Sequence, residues 1–245
     1  MDIVAVIPAR YASIRFPGKP LAMIMGKTMI ERVYLRVSAC PGVSRVFVAT
    51  DDIRIMQAVE SFGGDAIMTS SHHHSGTDRV AEAVDSLGGD LILNVQGDEP
   101  LVEPEMMTLA LEPLIEDTSI PMASLKTPLT DPEEWGNPNV VKVVTDTRGF
   151  ALYFSRAPIP FRRDAGEEPV ARFKHIGLYA YRRDTLIELA KLPPTPLELS
   201  EKLEQLRALE NGYRIAVPTT DRSPIGVDTP ADLAKVCKQM EGSGR

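Results

Sequence analysis

Cysteine is nearly absent from this sequence: Cys40 and Cys237 are the only two in 245 residues. Neither has a CxxC or Cys/His partner at metal-ligand spacing, and both lie in apolar-periodic stretches. This argues against a disulfide framework and fits buried thiols in a reducing compartment. Long apolar runs are also missing. The start of the chain offers only Ile3 to Ile7 before Pro8, too short for a signal peptide, and no later run approaches the roughly 18 residues of a membrane span. A cytoplasmic protein with no membrane partner is expected. Nor is there an excess of positive charge: 27 Lys+Arg against 34 Asp+Glu leave a net charge of −7, which argues against nucleic acid as a partner. Any phosphate must therefore be gripped by a local cluster of cations. The GxGxxG and GxxxxGK[ST] spacings do not occur, which disfavours a dinucleotide-binding dehydrogenase and a P-loop NTPase.

With 43% hydrophobic and 25% charged residues, the chain has the composition of a globular protein. Its length suits one domain, 1–245, since a single core stops growing at roughly 250–300 residues. Ile3-Val-Ala-Val-Ile7, Arg45-Val-Phe-Val-Ala49 and Leu91-Ile-Leu-Asn-Val95 are apolar without alternation, as strands buried on both faces are. Between them the patterns predict helices over Met29 to Cys40, Ile53 to Phe62 and Thr77 to Leu87, the last two running into Gly-Gly stops. Alternation of this kind predicts an α/β fold: a Rossmann-like, doubly wound, mixed and mostly parallel sheet whose crevice lies beyond the C-terminal ends of the strands. Residues 131–182 read as a smaller β-rich insertion, with a hairpin of Val140–Val144 and Ala151–Phe154 turning at Asp146-Thr-Arg-Gly149, then a strand from Phe173 to Tyr181. A helix from Ser200 to Glu210 and a strand from Tyr213 to Val217 follow.

The loop after the first strand carries Arg10, Arg15 and Lys19 within ten residues, with Gly18 permitting close backbone approach. Guanidinium forks, an ammonium and backbone N–H groups at that place make a polyphosphate grip. Asp98 in Gln96-Gly-Asp-Glu-Pro100 follows a buried strand and is expected on the crevice rim, where a hard carboxylate suits Mg²⁺. Asp228 in Gly226-Val-Asp-Thr-Pro230 is either a second carboxylate for that ion or the N-cap of a final helix. Glu99 is expected to be a solvated loop acid outside the metal shell. Ser75-Gly-Thr-Asp-Arg79 opens a helix, as a capping box or as an anion- or base-recognising edge built from Gly76, Thr77 and Arg79. His72-His-His74 looks like a metal tract, yet it lies in a polar loop without a neighbouring ligand, and metal binding is not expected there.

Seven segments together carry a resemblance over nearly the whole chain: Pro8 to Pro20, Ser75 to Arg79, Asn94 to Pro100, Ala151 to Arg156, His175 to Tyr181, Leu203 to Arg207 and Gly226 to Pro230. They resemble the 3-deoxy-manno-octulosonate cytidylyltransferases, or CMP-Kdo synthetases. The resemblance implies transfer of CMP from CTP to Kdo with release of pyrophosphate, a role in lipopolysaccharide synthesis, Mg²⁺ as cofactor and a homodimer formed through the β-rich lobe. It implies that Arg10, Arg15, Lys19 and Asp98 serve catalysis, and that Ser13, Gly76, Thr77, Arg79 and Gln96 join the three cations around the nucleotide. Asp98 and Asp228 become the metal pair. Gln96, Arg156, His175, Tyr179, Glu204 and Gln205 become the sugar site, in which a cation for the carboxylate of an anionic sugar acid and several hydroxyl partners are needed.

Two other readings stay open at this point. A relative acting on another sugar acid, such as 8-amino-Kdo or an N-acylneuraminate, would keep most of these motifs. A non-catalytic nucleotide-sugar sensor would keep the fold but lack the carboxylates, and both aspartates are present. A metal-dependent glycosyltransferase would more often show a local Asp-x-Asp pair, whereas here Glu99-Pro100 follows Asp98.

Overall fold

The first apolar run becomes strand β1 (Ile3–Ala9), buried along almost its whole length. It continues through Pro8, where the sequence predicts an end. The Pro8 carbonyl faces Gly97, beyond the last β1 pairing with its neighbour on that side, Val6–Asn94. The missing N–H therefore costs no ladder bond. The structure, a computed structural model, describes residues 1–12, 16–73, 75–163 and 170–242. It forms two compact units, one of Met1–Thr108 with Pro224–Arg245 and one of Leu109–Ser223.

In the first unit β1 is followed by a small hairpin of β2 (Met23–Ile24) and β3 (Lys27–Thr28), then α1 (Met29–Ser38), β4 (Val43–Thr50), α2 (Ile53–Ser61), β5 (Asp65–Met68), α3 (Gly76–Leu87) and β6 (Leu91–Asn94). The helices start where polar side chains accept the first free backbone N–H groups: Thr28 from Glu31, Asp52 from Arg54 and Ser75 from Asp78. The four main strands are parallel in the order β6-β1-β4-β5. The chain winds outward from β1 through β4 and β5, then returns to β6 on the other side. That reversal puts the switch point of the sheet beyond the C-terminal ends of β1 and β6, which is where ligands bind in open α/β sheets.

Helix α4 (Pro104–Glu116) leads into the second unit, which contains β7 (Met122–Pro128), α5 (Pro132–Gly136), β8 (Lys142–Thr145), β9 (Ala151–Ser155), β10 (Phe173–Arg182), α6 (Arg183–Lys191), α7 (Pro196–Glu201), α8 (Gln205–Glu210) and β11 (Ile215–Ala216). Here β7 pairs parallel with β11 and antiparallel with β10, while β8 pairs antiparallel with β10 and β9. The fold is α/β with a mixed, mostly parallel sheet, as the alternation of strands and helices predicts. The β8–β9 turn is built by Asp146, whose carboxylate accepts from the backbone of Arg148 and Phe150, with Gly149 at φ 84°. Finally α9 (Pro230–Gly242) returns to the first unit, packing Val236 and Met240 with Val227 against Ile24 and Met29.

The single helix expected from Ser200 to Glu210 is two helices. Pro196 fits the first turn of α7, and Lys202 ends that helix in the left-handed region at φ 54°. The break is stapled by a bidentate pair: Arg207 Nη2 and Nε donate to Glu198 at 2.6 and 2.8 Å, both side chains being about nine-tenths buried. Removing one partner strands the other charge away from water. Glu198→Ala should therefore cost about 3 kcal/mol in urea unfolding; a loss below about 1 kcal/mol would mean that solvent reaches Arg207 freely.

Candidate active site

The loop after β1 is closed by the Gly18 amide donating to the Tyr11 carbonyl at 3.0 Å. Gly18 has φ 71°, and a side chain there would also meet the Tyr11 ring at 3.2 Å. The Arg54 guanidinium stacks on that ring at 3.3 Å from its centroid, held in place by two bonds to Asp52. The same guanidinium holds the Asp52 carboxyl below the usual carboxylate range. Tyr11 is thus clamped between α2 and the loop's glycine, which fixes the base of the expected phosphate grip. Arg10 is exposed at the end of β1. Ser13 and Arg15 lie outside the described residues.

Lys19 joins the two predicted carboxylates. Its Nζ lies 2.6 Å from Asp98 and 3.4 Å from Asp228, so both aspartates converge on one cation. The Val227 amide donates to the Asp98 carbonyl at 2.9 Å, tying the two loops together. The helix-cap alternative for Asp228 is filled by its neighbours: Thr229 and Asp232 cap α9 reciprocally through Thr229 N to Asp232 Oδ2 and Asp232 N to Thr229 Oγ1. Two hard carboxylates converging on a cationic group are a donor set that fits Mg²⁺ with phosphate oxygens completing its shell. Among the described residues no group of three or more His, Cys, Asp or Glu could hold a metal ion by itself.

Gly97 reaches this position because it has no side chain: a Cβ would lie 2.9 Å from the Pro8 carbonyl. Gly76, at the start of α3, lies beside Pro8 and Gln96, where a Cβ would make only ordinary contacts at 3.4 to 3.8 Å, so the N-terminus of α3 borders the β1 and β6 loops. Gln96 donates to Asn94 at 3.4 Å. Thr77 follows in the first turn of α3, and Ser75 is the cap of that helix. The Arg79 side chain is buried and committed to Asp51 at 3.0 Å and to Thr69. Glu99 differs from its expectation as a solvated acid. Its Oε2 is sealed from water without a hydrogen-bond partner among the described residues, and burial, with the nearby Asp98 charge, pushes the carboxyl up to about 8. The histidine tract also differs in part: α3 brings Glu82 to His73, while His74 lies outside the described residues.

In the second unit Arg156 is the most tightly framed of the expected sugar residues. Its Nε donates to the Glu201 carbonyl at 2.6 Å, Nη1 to Pro138 and Nη2 to Lys202. Its own amide donates to the Glu201 carboxylate at 2.9 Å, and its carbonyl accepts from Lys142 Nζ at 2.6 Å. Lys142 has no solvent exposure and also donates to the carbonyls of Asn137 and Val140. A lysine inside the otherwise apolar Val140-Val-Lys-Val-Val144 is the sequence signal of such a buried cation. Gln205 is buried with Nε2 unpaired among the described residues, whereas the adjacent Glu204 is exposed.

His175 and Tyr179 have ring centroids 5.5 Å apart. Same-face alternation does not explain this, since a regular strand sets Cα atoms four residues apart at about 13 Å. The β10–β7 register breaks between Ile176 and Ala180, and the bulge draws the rings together. Burial pushes the His175 imidazole down to about 3.

Similarity to known proteins is extensive. Residues 4–215 match the family model described as Cytidylyltransferase. Curated relatives named 3-deoxy-manno-octulosonate cytidylyltransferase include one from Syntrophotalea carbinolica, 58% identical over 99% of this chain and 100% of the relative. Another, from Geobacter sulfurreducens, is 55% identical over 98% of this chain and 100% of its own. The chain belongs to the cytidylyltransferase family. A solved structure of a CMP:2-keto-3-deoxy-manno-octonic acid synthetase complexed with CTP is similar throughout, with a TM-score of 0.94 and 45% identity over 99% of this chain and 100% of that one.

For this cytidylyltransferase the neutral His175 has a consequence for stability. The unfolded chain binds a proton below the ordinary value of 6.5, and the folded chain does not until about pH 3. Stability should therefore fall on acidification through that window, by up to about 1.4 kcal/mol per pH unit. Urea unfolding at pH 7 and pH 5 should show a smaller acid loss in His175→Gln than in the wild type; equal losses would mean that the imidazole charges within the fold.

Proposed function

We infer that this chain transfers the cytidylyl group of CTP to Kdo and releases pyrophosphate. The observation that carries this reading is the convergence of Asp98 and Asp228 on Lys19, beside a basic loop at the switch point of the sheet, in a member of a family whose full-length relatives bear that activity in their names. The similar synthetase bound to CTP supports the same nucleotide here.

In the proposed reaction the anomeric hydroxyl oxygen of Kdo forms a bond to the α-phosphorus of CTP. The bond from that phosphorus to the bridging oxygen of the β-phosphate breaks, and pyrophosphate departs with the electron pair. The hydroxyl proton passes to solvent. Such a transfer depends mainly on positioning and charge stabilisation. Arg10, Arg15 and Lys19 hold the β and γ phosphates. Asp98 and Asp228 hold Mg²⁺, which when bound supplies positive charge to the phosphates and favours ionisation of an attacking hydroxyl. Gly76, Thr77, Gln96 and Ser13 border the nucleotide, with Arg79 supporting that edge through its buried bonds to Asp51 and Thr69. Arg156 meets the Kdo carboxylate: three nitrogens of its fork are anchored on carbonyls, and the remaining N–H bonds of a five-donor group serve the ligand. His175, Tyr179, Glu204 and Gln205 meet the sugar hydroxyls.

We further propose a cytoplasmic homodimer that serves lipopolysaccharide synthesis and pairs through residues 131–182, where Leu152 on β9 is 63% exposed. No helix among the described residues is long and apolar enough to cross a membrane.

Pyrophosphate release measured with each of the four NTPs and with Kdo, 8-amino-Kdo or an N-acylneuraminate tests the reading. CTP with Kdo should give the highest kcat/KM, and release without a sugar acid or with another preferred acceptor would overturn it. Asp98→Asn and Asp228→Asn should each lower turnover about 10²-fold or more. The double variant should be little worse than the poorer single one, since both serve one ion. Because Thr229 and Asp232 cap α9, Asp228→Asn should leave the Tm unchanged. Arg156→Ala should raise KM for Kdo far more than for CTP, by the equivalent of about 2–4 kcal/mol.

A further inference from the structure

Ser124 lies on β7 opposite the β10 bulge and has no solvent exposure. Leu125 pairs with Ile176 and Ala123 with Ala180, so Ser124 alone faces Gly177 to Tyr179. The Ser124 hydroxyl lies 3.0 and 2.9 Å from the carbonyls of Ile176 and Leu178, at and within this break in register, and donates towards them. The same oxygen lies 2.7 Å from His175 Nε2. A hydroxyl has one proton. Carbonyl oxygens can only accept, and two of them compete for it in a buried place where an unsatisfied acceptor is costly. The serine proton therefore goes to the bulge, and the oxygen lone pair is left for His175. Nε2 must then carry the hydrogen.

We propose that Ser124 is a positioning residue that holds His175 as the neutral Nε2–H tautomer, so that Nδ1 presents a lone pair to a hydroxyl of the acceptor sugar. One hydroxyl thus couples the backbone kink that brings His175 to Tyr179 with the proton position on the imidazole. No described residue bonds Nδ1, and the ring is fixed at its edges by Phe154 at 4.9 Å and Tyr179 at 5.5 Å between centroids. Burial keeps the ring uncharged, so the tautomer is defined across the working pH range. An acceptor at Nδ1 selects a sugar hydroxyl as donor at that point and rejects an ether or a second carbonyl.

The proposal rests on the reading that His175 meets Kdo, and the test separates the two. The chain has four histidines, so protein labelled with ¹⁵N-histidine gives a simple spectrum, in which the signals lost in His175→Asn assign His175. In the wild type Nε2 should show the protonated signature and Nδ1 the unprotonated one. In Ser124→Ala the two nitrogens should move towards a tautomer mixture, and KM for Kdo should rise about tenfold while KM for CTP stays within about twofold. A protonated Nδ1 in the wild type overturns the proposal, and that measurement requires no variant at position 124 to fold. An unchanged KM for Kdo in Ser124→Ala, where His175→Asn raises it, also overturns it. If His175→Asn itself leaves KM for Kdo unchanged, His175 does not touch the sugar and the proposal falls with that reading, whatever the tautomer.

Discussion

Two carboxylates in a chain of net charge −7 repel one another, and the site works only if something holds them together. Lys19 does this as a single ammonium between Asp98 and Asp228. Its position depends on three loops. The first is pinned by Tyr11 between Gly18 and Arg54, the second passes Pro8 only because residue 97 is glycine, and the third is tied to the second by the Val227–Asp98 backbone bond. The arrangement is dominated by backbone constraints, so the charges meet at a place that the sheet defines rather than one they choose by attraction. Exposed ion pairs contribute little to stability. What the cluster gains from the fold is preorganisation, which is what transfer of a nucleotidyl group from a phosphate oxygen to a hydroxyl oxygen requires.

The second unit fixes a single cation with the same economy. A side chain as flexible as arginine has to be prevented from wandering before it can present a defined face to an anion. Arg156 is held at its amide, its carbonyl and three of its nitrogens, by Glu201, Lys202, Pro138 and the buried Lys142. Lysine suits the role of Lys142 because an ammonium donates in three directions at once, and three carbonyls surround it.

Strands β1, β4 and β6 are legible because their runs are apolar without alternation, and α1 to α3 because their caps and stops stand at the ends of amphipathic patterns. Strand β5, helix α4, strand β7 and helix α6 have no such signal in the sequence. Helix α4 carries Pro113 in its interior and is apolar on most sides, so its period is blurred, and β7 is buried nearly throughout and offers no alternation. In the candidate site, the residues expected to carry chemistry stand in short motifs. The residues that hold them, Arg54, Lys142, Glu201 and Ser124, do not. Each acts through a partner distant in sequence or through a backbone kink, and neither leaves a local pattern.

The first unit is closed by a segment that the chain supplies only after the whole of the second unit, 109–223. During synthesis β1, β4, β5 and β6 can pair, and the basic loop and Asp98 can take their places, while residues 224–242 have yet to leave the ribosome. At that stage Lys19 has one carboxylate partner, and the apolar surface of Ile24 and Met29 lacks the Val227, Val236 and Met240 that cover it. Burial of that surface by α9 and delivery of Asp228 are then one event. A nascent chain that still lacks α9 therefore lacks both the second carboxylate at Lys19 and the cover over that apolar surface, so one segment completes the ion cluster and the core together.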